Sequence, residues 1–140
     1  MIRTNYVFWA LVACLSYSFV PPLVRVATRE IPSTVAALIS NIILVSLILL
    51  VLALTDEDVV HHLRTDSAIY LYVAGLFLGV GILAYYRALE FGPVSIVVPL
   101  FAMFIVGGSV IGVLVLDESM TVRNGFGIVL AVAAIYLLST

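Results

Sequence analysis

Apolar residues run along this chain in long unbroken stretches, and the polar residues gather in short links between them. The stretches cover about residues 6–27, 34–54, 67–89, 93–116 and 120–138. A membrane-crossing helix needs roughly 20 mostly apolar residues, and four of these segments have that length. The fifth starts beside Arg123 and Asn124 and is the shortest; an arginine there can extend its side chain to the interface. Transmembrane strands would read as alternating segments of about ten residues, so the expected fold is all-α, an integral membrane protein of five transmembrane helices.

The links sharpen this reading. Arg29-Glu30-Ile31-Pro32-Ser33 joins the first two helices, with Pro32-Ser33 opening the second. Residues 56–66 form the longest link and hold His61, His62 and Arg64. Glu90-Phe91-Gly92-Pro93 is a tight turn in which Gly ends one helix and Pro opens the next. Asp117-Glu118-Ser119-Met120-Thr121 is the last link. Links this short make successive helices antiparallel. The N-terminal apolar run continues to Pro21-Pro22 with no small-residue cleavage site, which reads as a retained helix.

Composition agrees with the pattern. Of 140 residues, 64% are hydrophobic and 10% charged, against about 25% charged in soluble domains. The net charge of −2 and the absence of a basic run give no footing for nucleic acid. Cys14 has no second cysteine to pair with. The cationic residues are all arginines. With five crossings, Arg3, Arg64 and Arg123 lie on one side and Arg25, Arg29 and Arg87 on the other. Such counts normally set orientation; three against three sets none. The expectation is a homodimer, antiparallel and of dual topology, in which two copies recreate an inverted repeat. A single orientation fixed by weaker cues is the alternative.

Several residues are candidates for chemistry. Asn5, Trp9 and Ser16 share a narrow arc of the first helix, facing either a substrate cavity or, for Trp9, an aromatic belt. Pro21 and Pro22 remove backbone donors and are expected to interrupt that helix; Pro99 acts likewise in the fourth. These are either hinges or static kinks. Asn41 is costly in lipid and is expected to bond another helix or a ligand. Tyr85 and Tyr86 either line a cavity mouth or anchor the interface. Arg87 and Glu90 are spaced to pair, and Arg25, on the same side, could neutralise a substrate anion or extend to the interface. Gly75-x3-Gly79, Gly108-x3-Gly112 and Gly127-x3-Ala131 are small-residue ridges suited to close helix approach; Gly127, Ala131 and Ala134 are the expected dimer contact. Adjacent histidines diverge on a helix, so His61 and His62 read as part of a solvated link rather than a metal site. No cofactor motif, phosphate loop or nucleophile–base pair is present, which speaks against an enzyme.

The run Ala84-Tyr85-Tyr86-Arg87-Ala88-Leu89-Glu90-Phe91-Gly92-Pro93-Val94-Ser95 resembles the end of the third helix of an EamA-type repeat, with its Tyr-x-Ala-Leu pattern before a turn and a small-residue helix start. Val98-Pro99-Leu100 resembles the proline inside that family's fourth helix. Leu116-Asp117-Glu118 is similar to its Leu-Gly-Glu turn, with Asp117 where the family has Gly. Gly127 onward resembles the Gly-rich fifth helix, and Trp9 to Arg25, with Ser16-Tyr17-Ser18-Phe19, the first. The resemblance spans nearly the whole chain and implies the drug/metabolite transporter superfamily, in its five-helix prokaryotic branch. It implies a multi-pass plasma-membrane transporter of small organic metabolites working by alternating access, or an accessory subunit that needs another partner. Trp9, Ser16, Tyr17, Asn41, Tyr85, Tyr86, Ser95 and Pro99 are then the expected substrate contacts. Related four-helix exporters carry a carboxylate in the first helix; here Ala13-Cys14-Leu15-Ser16 has none, which argues against simple proton exchange.

Overall fold

A chain this apolar has one economical way to satisfy its backbone in lipid, which is to bond each N–H to a carbonyl of its own segment. The computed structural model, which describes residues 6–55, 57–117 and 119–139, is helical throughout and contains no strand among those residues. The helices are α1 (Tyr6–Ala27), α2 (Ser33–Thr55), α3 (Val59–Leu63), α4 (Ala68–Phe91), α5 (Val94–Ala102), α6 (Phe104–Val115) and α7 (Val122–Ser139). Arg3, Asn5, Asp56 and Glu118 lie outside the described residues.

Four stretches are long and apolar enough to cross a membrane: α1, α2, α4, and α5 with α6 taken together as Val94–Val115. The fifth apolar segment is shorter. At 18 residues and 1.5 Å per residue, α7 is about 27 Å long, just under the ~30 Å hydrocarbon layer.

Polar side chains inside the helices are mostly turned back on the backbone. The hydroxyls of Ser18, Ser40, Ser46 and Ser109 donate to the carbonyls four residues earlier, at Cys14, Ala36, Ile42 and Ile105. That bond satisfies a hydroxyl without a second helix.

The prolines behave differently from expectation. α1 runs unbroken through Pro21 and Pro22. Their missing N–H groups leave the carbonyls of Tyr17 and Ser18 without helical donors, but the fixed φ of proline is itself helical, so the helix continues. Pro99 also lies inside a helix, α5. The break in the fourth apolar segment falls at Met103, whose amide bonds Leu100 in place of Pro99. The rings of Phe101 and Phe104 meet across this break at 5.1 Å.

The helix ends show why the links sit where they do. Pro32 accepts the amides of Val35 and Ala36 to start α2, and Pro93 accepts those of Ile96 and Val97 to start α5. Thr121 caps α7, its hydroxyl accepting from the Asn124 amide at 3.2 Å. Within the long link, Asp58 caps α3 through the His61 amide, and the Tyr72 hydroxyl donates to the Leu63 carbonyl. After α6, Asp117 takes φ 53°, the left-handed conformation that favours glycine at a helix C-terminus. The glycine of the resembling turn is therefore replaced here by a residue that can adopt this conformation only at some cost.

The chain forms two compact units. One is Leu23–Phe91; the other comprises Met1–Pro22 with Gly92–Thr140. In the first, α2 packs on α4, and in the second α5 packs on α7. Leu89 is wholly buried and Tyr86 nearly so, while Ala36 and Ala37 supply small buried positions on α2. Within the single chain, a Cβ at Gly75, Gly79, Gly108 or Gly127 would meet nothing within 4 Å. Gly112 alone of those ridges' glycines is buried.

Candidate functional site

The densest polar arrangement lies in the Leu23–Phe91 unit, where α1 ends, α2 begins and α4 ends. The last four carbonyls of any helix lack a helical donor. For Leu89 that donor would be the amide of residue 93, which is proline and has none. Arg25 fills the gap. Its Nη1 donates to the Leu89 carbonyl at 2.8 Å and to the Glu90 carbonyl at 2.6 Å. A cation at this end of a helix is also favoured by the helix dipole. Arg25 therefore closes the end of α4.

Glu90 completes the arrangement. Its Oε2 accepts the hydroxyl of Ser33, the buried first residue of α2, at 2.7 Å. The carboxylate thus sits at the N-terminal end of α2, where negative charge is favoured. Arg87 reaches the same oxygen at 3.4 Å and lies 4.7 Å over the ring of Phe91. The Arg87–Glu90 spacing was legible in the sequence. The bonds of Arg25 and Ser33 were not identified from it, although both residues fall on the same side of the membrane as Glu90 once the helices are counted as antiparallel.

The expected substrate contacts are distributed over both units. Trp9, Ser16 and Tyr17 lie on α1 and are all exposed, Trp9 at 59% and Tyr17 at 68%. The Trp9 ring meets Phe8 edge-on at 5.6 Å. Ser16 departs from the other mid-helix serines, because its hydroxyl finds no partner among the described residues. Ser95 is exposed at the start of α5, and Pro99 is half-buried in it. Asn41 does not join another described helix: its amide nitrogen donates to Ala37 on its own helix at 2.8 Å. Tyr85 is half-buried and Tyr86 buried among the helices. His61 and His62 stand on α3 with their rings at 71°. On α7, Gly127 and Ala134 are exposed and Ala131 is half-buried.

The sequence pattern of the EamA-like transporter family matches residues 4–140. The chain belongs to the EamA-like transporter family. It is also 29% identical over 136 residues to a Sinorhizobium protein described as an uncharacterized transporter in the cobO 3'region, the match covering 96% of each chain. No solved structure matches it. As an EamA-family protein, it is a membrane transporter. The Ala84–Ser95 run that resembled the family now has a physical content: it carries the end of α4, the carbonyls that Arg25 closes, and the proline that makes this closure necessary.

Proposed function

We propose that this EamA-family transporter moves a small organic metabolite across the plasma membrane by alternating access, as a homodimer of oppositely oriented copies. The fifth apolar helix crosses the bilayer in this reading. Its shortfall of about 3 Å costs only fractions of a kcal/mol per ångström, met by local thinning and by extension of Arg123 to the interface. The termini then lie on opposite faces, and the even division of arginines leaves both insertions open. The Sinorhizobium relative, matched over 96% of its own length, supports a single repeat as the working chain.

Two copies enclose the cavity, with Trp9, Ser16 and Tyr17 of α1 as its principal lining. Asn41, Tyr85, Tyr86, Ser95 and Pro99 contribute from the other helices, and Gly127, Ala131 and Ala134 of α7 form the contact between copies. The observation that carries this reading is Ser16. An unpartnered hydroxyl at mid-helix is costly in lipid, whereas Ser18, Ser40, Ser46 and Ser109 avoid that cost by bonding their own backbone. A polar cavity removes the penalty for Ser16.

Uptake by the purified chain in liposomes, against a panel of amino acids, nucleobases and organic cations, tests the proposal. Transport of one class by this chain alone is expected, and Trp9→Ala should weaken it without dissociating the dimer. Inactivity across the panel points to an accessory subunit that needs a different partner. Reporter fusions at the C-terminus should signal from both sides of the membrane; a signal from one side alone excludes the antiparallel dimer.

A further inference from the structure

One end of the Leu23–Phe91 unit carries more positive charge than its own carboxylates balance. The C-terminal ends of α1 and α4 and the N-terminal end of α2 meet there through Arg25, Glu90 and Ser33. They bring three arginines, Arg25, Arg29 and Arg87, against two glutamates, Glu30 and Glu90, an excess of one positive charge. Glu90 is already engaged, since its Oε2 accepts from Ser33 and pairs with Arg87.

Arg25 is only partly used. A guanidinium has five N–H donors in a planar fork. Nη1 supplies two of them, to the carbonyls of Leu89 and Glu90. Nε and Nη2 carry the other three, and they bond nothing among the described residues. No buried side-chain nitrogen or oxygen among those residues lacks a partner, so the Nε–Nη2 edge of this half-buried side chain opens to its surroundings. That edge presents two parallel N–H groups, the geometry that binds two oxygens of a phosphate. Arg87 stands near it. Its side chain is 64% exposed and lies 4.7 Å over the Phe91 ring. Arg25 bonds the Glu90 carbonyl and Arg87 its carboxylate, so the two guanidinium groups converge on one residue.

Depth selects the anion. α1 and α4 are long and apolar enough to cross a membrane. Arg25 lies two residues before the end of α1 and Arg87 four before the end of α4, about 3 and 6 Å along the axis. Groups so near the ends of spanning helices stand at the headgroup level, where lipid phosphates are the abundant acceptors. We propose that Arg25 and Arg87 form a binding site for the phosphate of one anionic phospholipid. The Nε–Nη2 edge of Arg25 grips two oxygens and Arg87 adds the second positive charge. The site goes beyond the transport reading and does not depend on it, because it makes a lipid a ligand of the chain where α1, α2 and α4 join.

Native mass spectrometry of the purified chain in detergent tests the site. Phosphatidylglycerol is titrated against phosphatidylcholine of the same acyl chains, and inorganic phosphate is the competing soluble anion. The expected result is one phosphatidylglycerol retained per chain at concentrations where phosphatidylcholine is lost, with no displacement by inorganic phosphate. Arg87→Gln removes a mostly exposed charge whose ion pair contributes little to folding. It should weaken retention about fivefold, the effect of one arginine at a charged headgroup. Arg25→Lys keeps the charge but has no planar edge, and should weaken retention as well. Arg64 is exposed in the link at the opposite end of the same unit, and Arg64→Gln should leave retention unchanged. Equal retention of the two lipids overturns the proposal, as does native retention in Arg87→Gln or an equal loss in Arg64→Gln. Displacement by inorganic phosphate at matching concentration assigns the site to a soluble anion and overturns the lipid.

Discussion

Replacing Arg25 by methionine isolates the closure of α4. Methionine keeps an unbranched stem of similar reach and removes the guanidinium. Two carbonyls then lose donors at 2.8 and 2.6 Å. Hydrogen bonds to a charged group contribute about 1.5–3 kcal/mol each in net terms, which bounds the loss at about 3–6 kcal/mol. Two features lower that bound. A single nitrogen serves both carbonyls, so the second bond is weaker than an independent one. Arg25 is only half-buried, so water or lipid headgroups recover part of what the carbonyls lose. An expected destabilisation of about 2–4 kcal/mol remains. Arg25→Lys retains the charge near the helix end but has a single nitrogen on a differently shaped stem, and should lose roughly half as much. Reversible unfolding in mixed micelles, followed by circular dichroism against rising denaturing detergent, measures this. Arg29 is exposed, and Arg29→Met is the control, expected to stay within about 0.5 kcal/mol of the native chain. The reasoning is refuted if Arg25→Met behaves like Arg29→Met.

Further outcomes follow from other positions. Asp117→Gly should stabilise by about 0.5–1 kcal/mol, because Asp117 holds a left-handed backbone at φ 53° that glycine adopts freely; an unchanged or lowered unfolding midpoint counts against strain at that turn. Ser33→Ala should destabilise by about 1–2 kcal/mol through loss of its bond to Glu90, and the effect should vanish in a Glu90→Ala background, which removes the acceptor, if the pair acts as a unit; a full double-mutant cycle reads this. Leu89→Ala should cost about 2 kcal/mol, at the low end of core truncations, because lipid surrounds the unfolded helix and the transfer contribution shrinks while the cavity remains. Equal stability of Leu89→Ala and the native chain would show that the α2–α4 contact is looser than its burial implies.

What the family-like run before α5 contributes became legible only through contacts. The sequence places Arg87 three residues before Glu90, and helical geometry alone brings them together. Ser33 and Arg25 lie 57 and 65 residues from Glu90 along the chain, and no local period points to such a pairing. The fourth apolar segment shows the reverse limit. Proline is the strongest local signal for a break, yet the irregularity falls at Met103, a residue with no such signature. Asn41 is similar: its cost in lipid was evident, but whether it bonds another helix or its own depends on which neighbours lie in reach.

By itself the sequence determined that this protein is helical and lives in a membrane. Long apolar runs with few charges cannot be dissolved in water, and in lipid the backbone must satisfy its own hydrogen bonds, so both conclusions follow from composition and local pattern alone. It also determined the helix limits closely, because Pro32, Pro93 and the polar links act on their immediate neighbours. The tertiary structure decided how the helix ends are closed and where the chain divides into units. Those outcomes depend on which distant groups meet, and in a chain whose surface and interior are equally apolar, hydrophobic patterning carries little information about the faces that pack. Arg25 on the carbonyls of α4, Ser33 on Glu90 and the open ridges at Gly75 and Gly79 were settled at that level, by geometry rather than by periodicity.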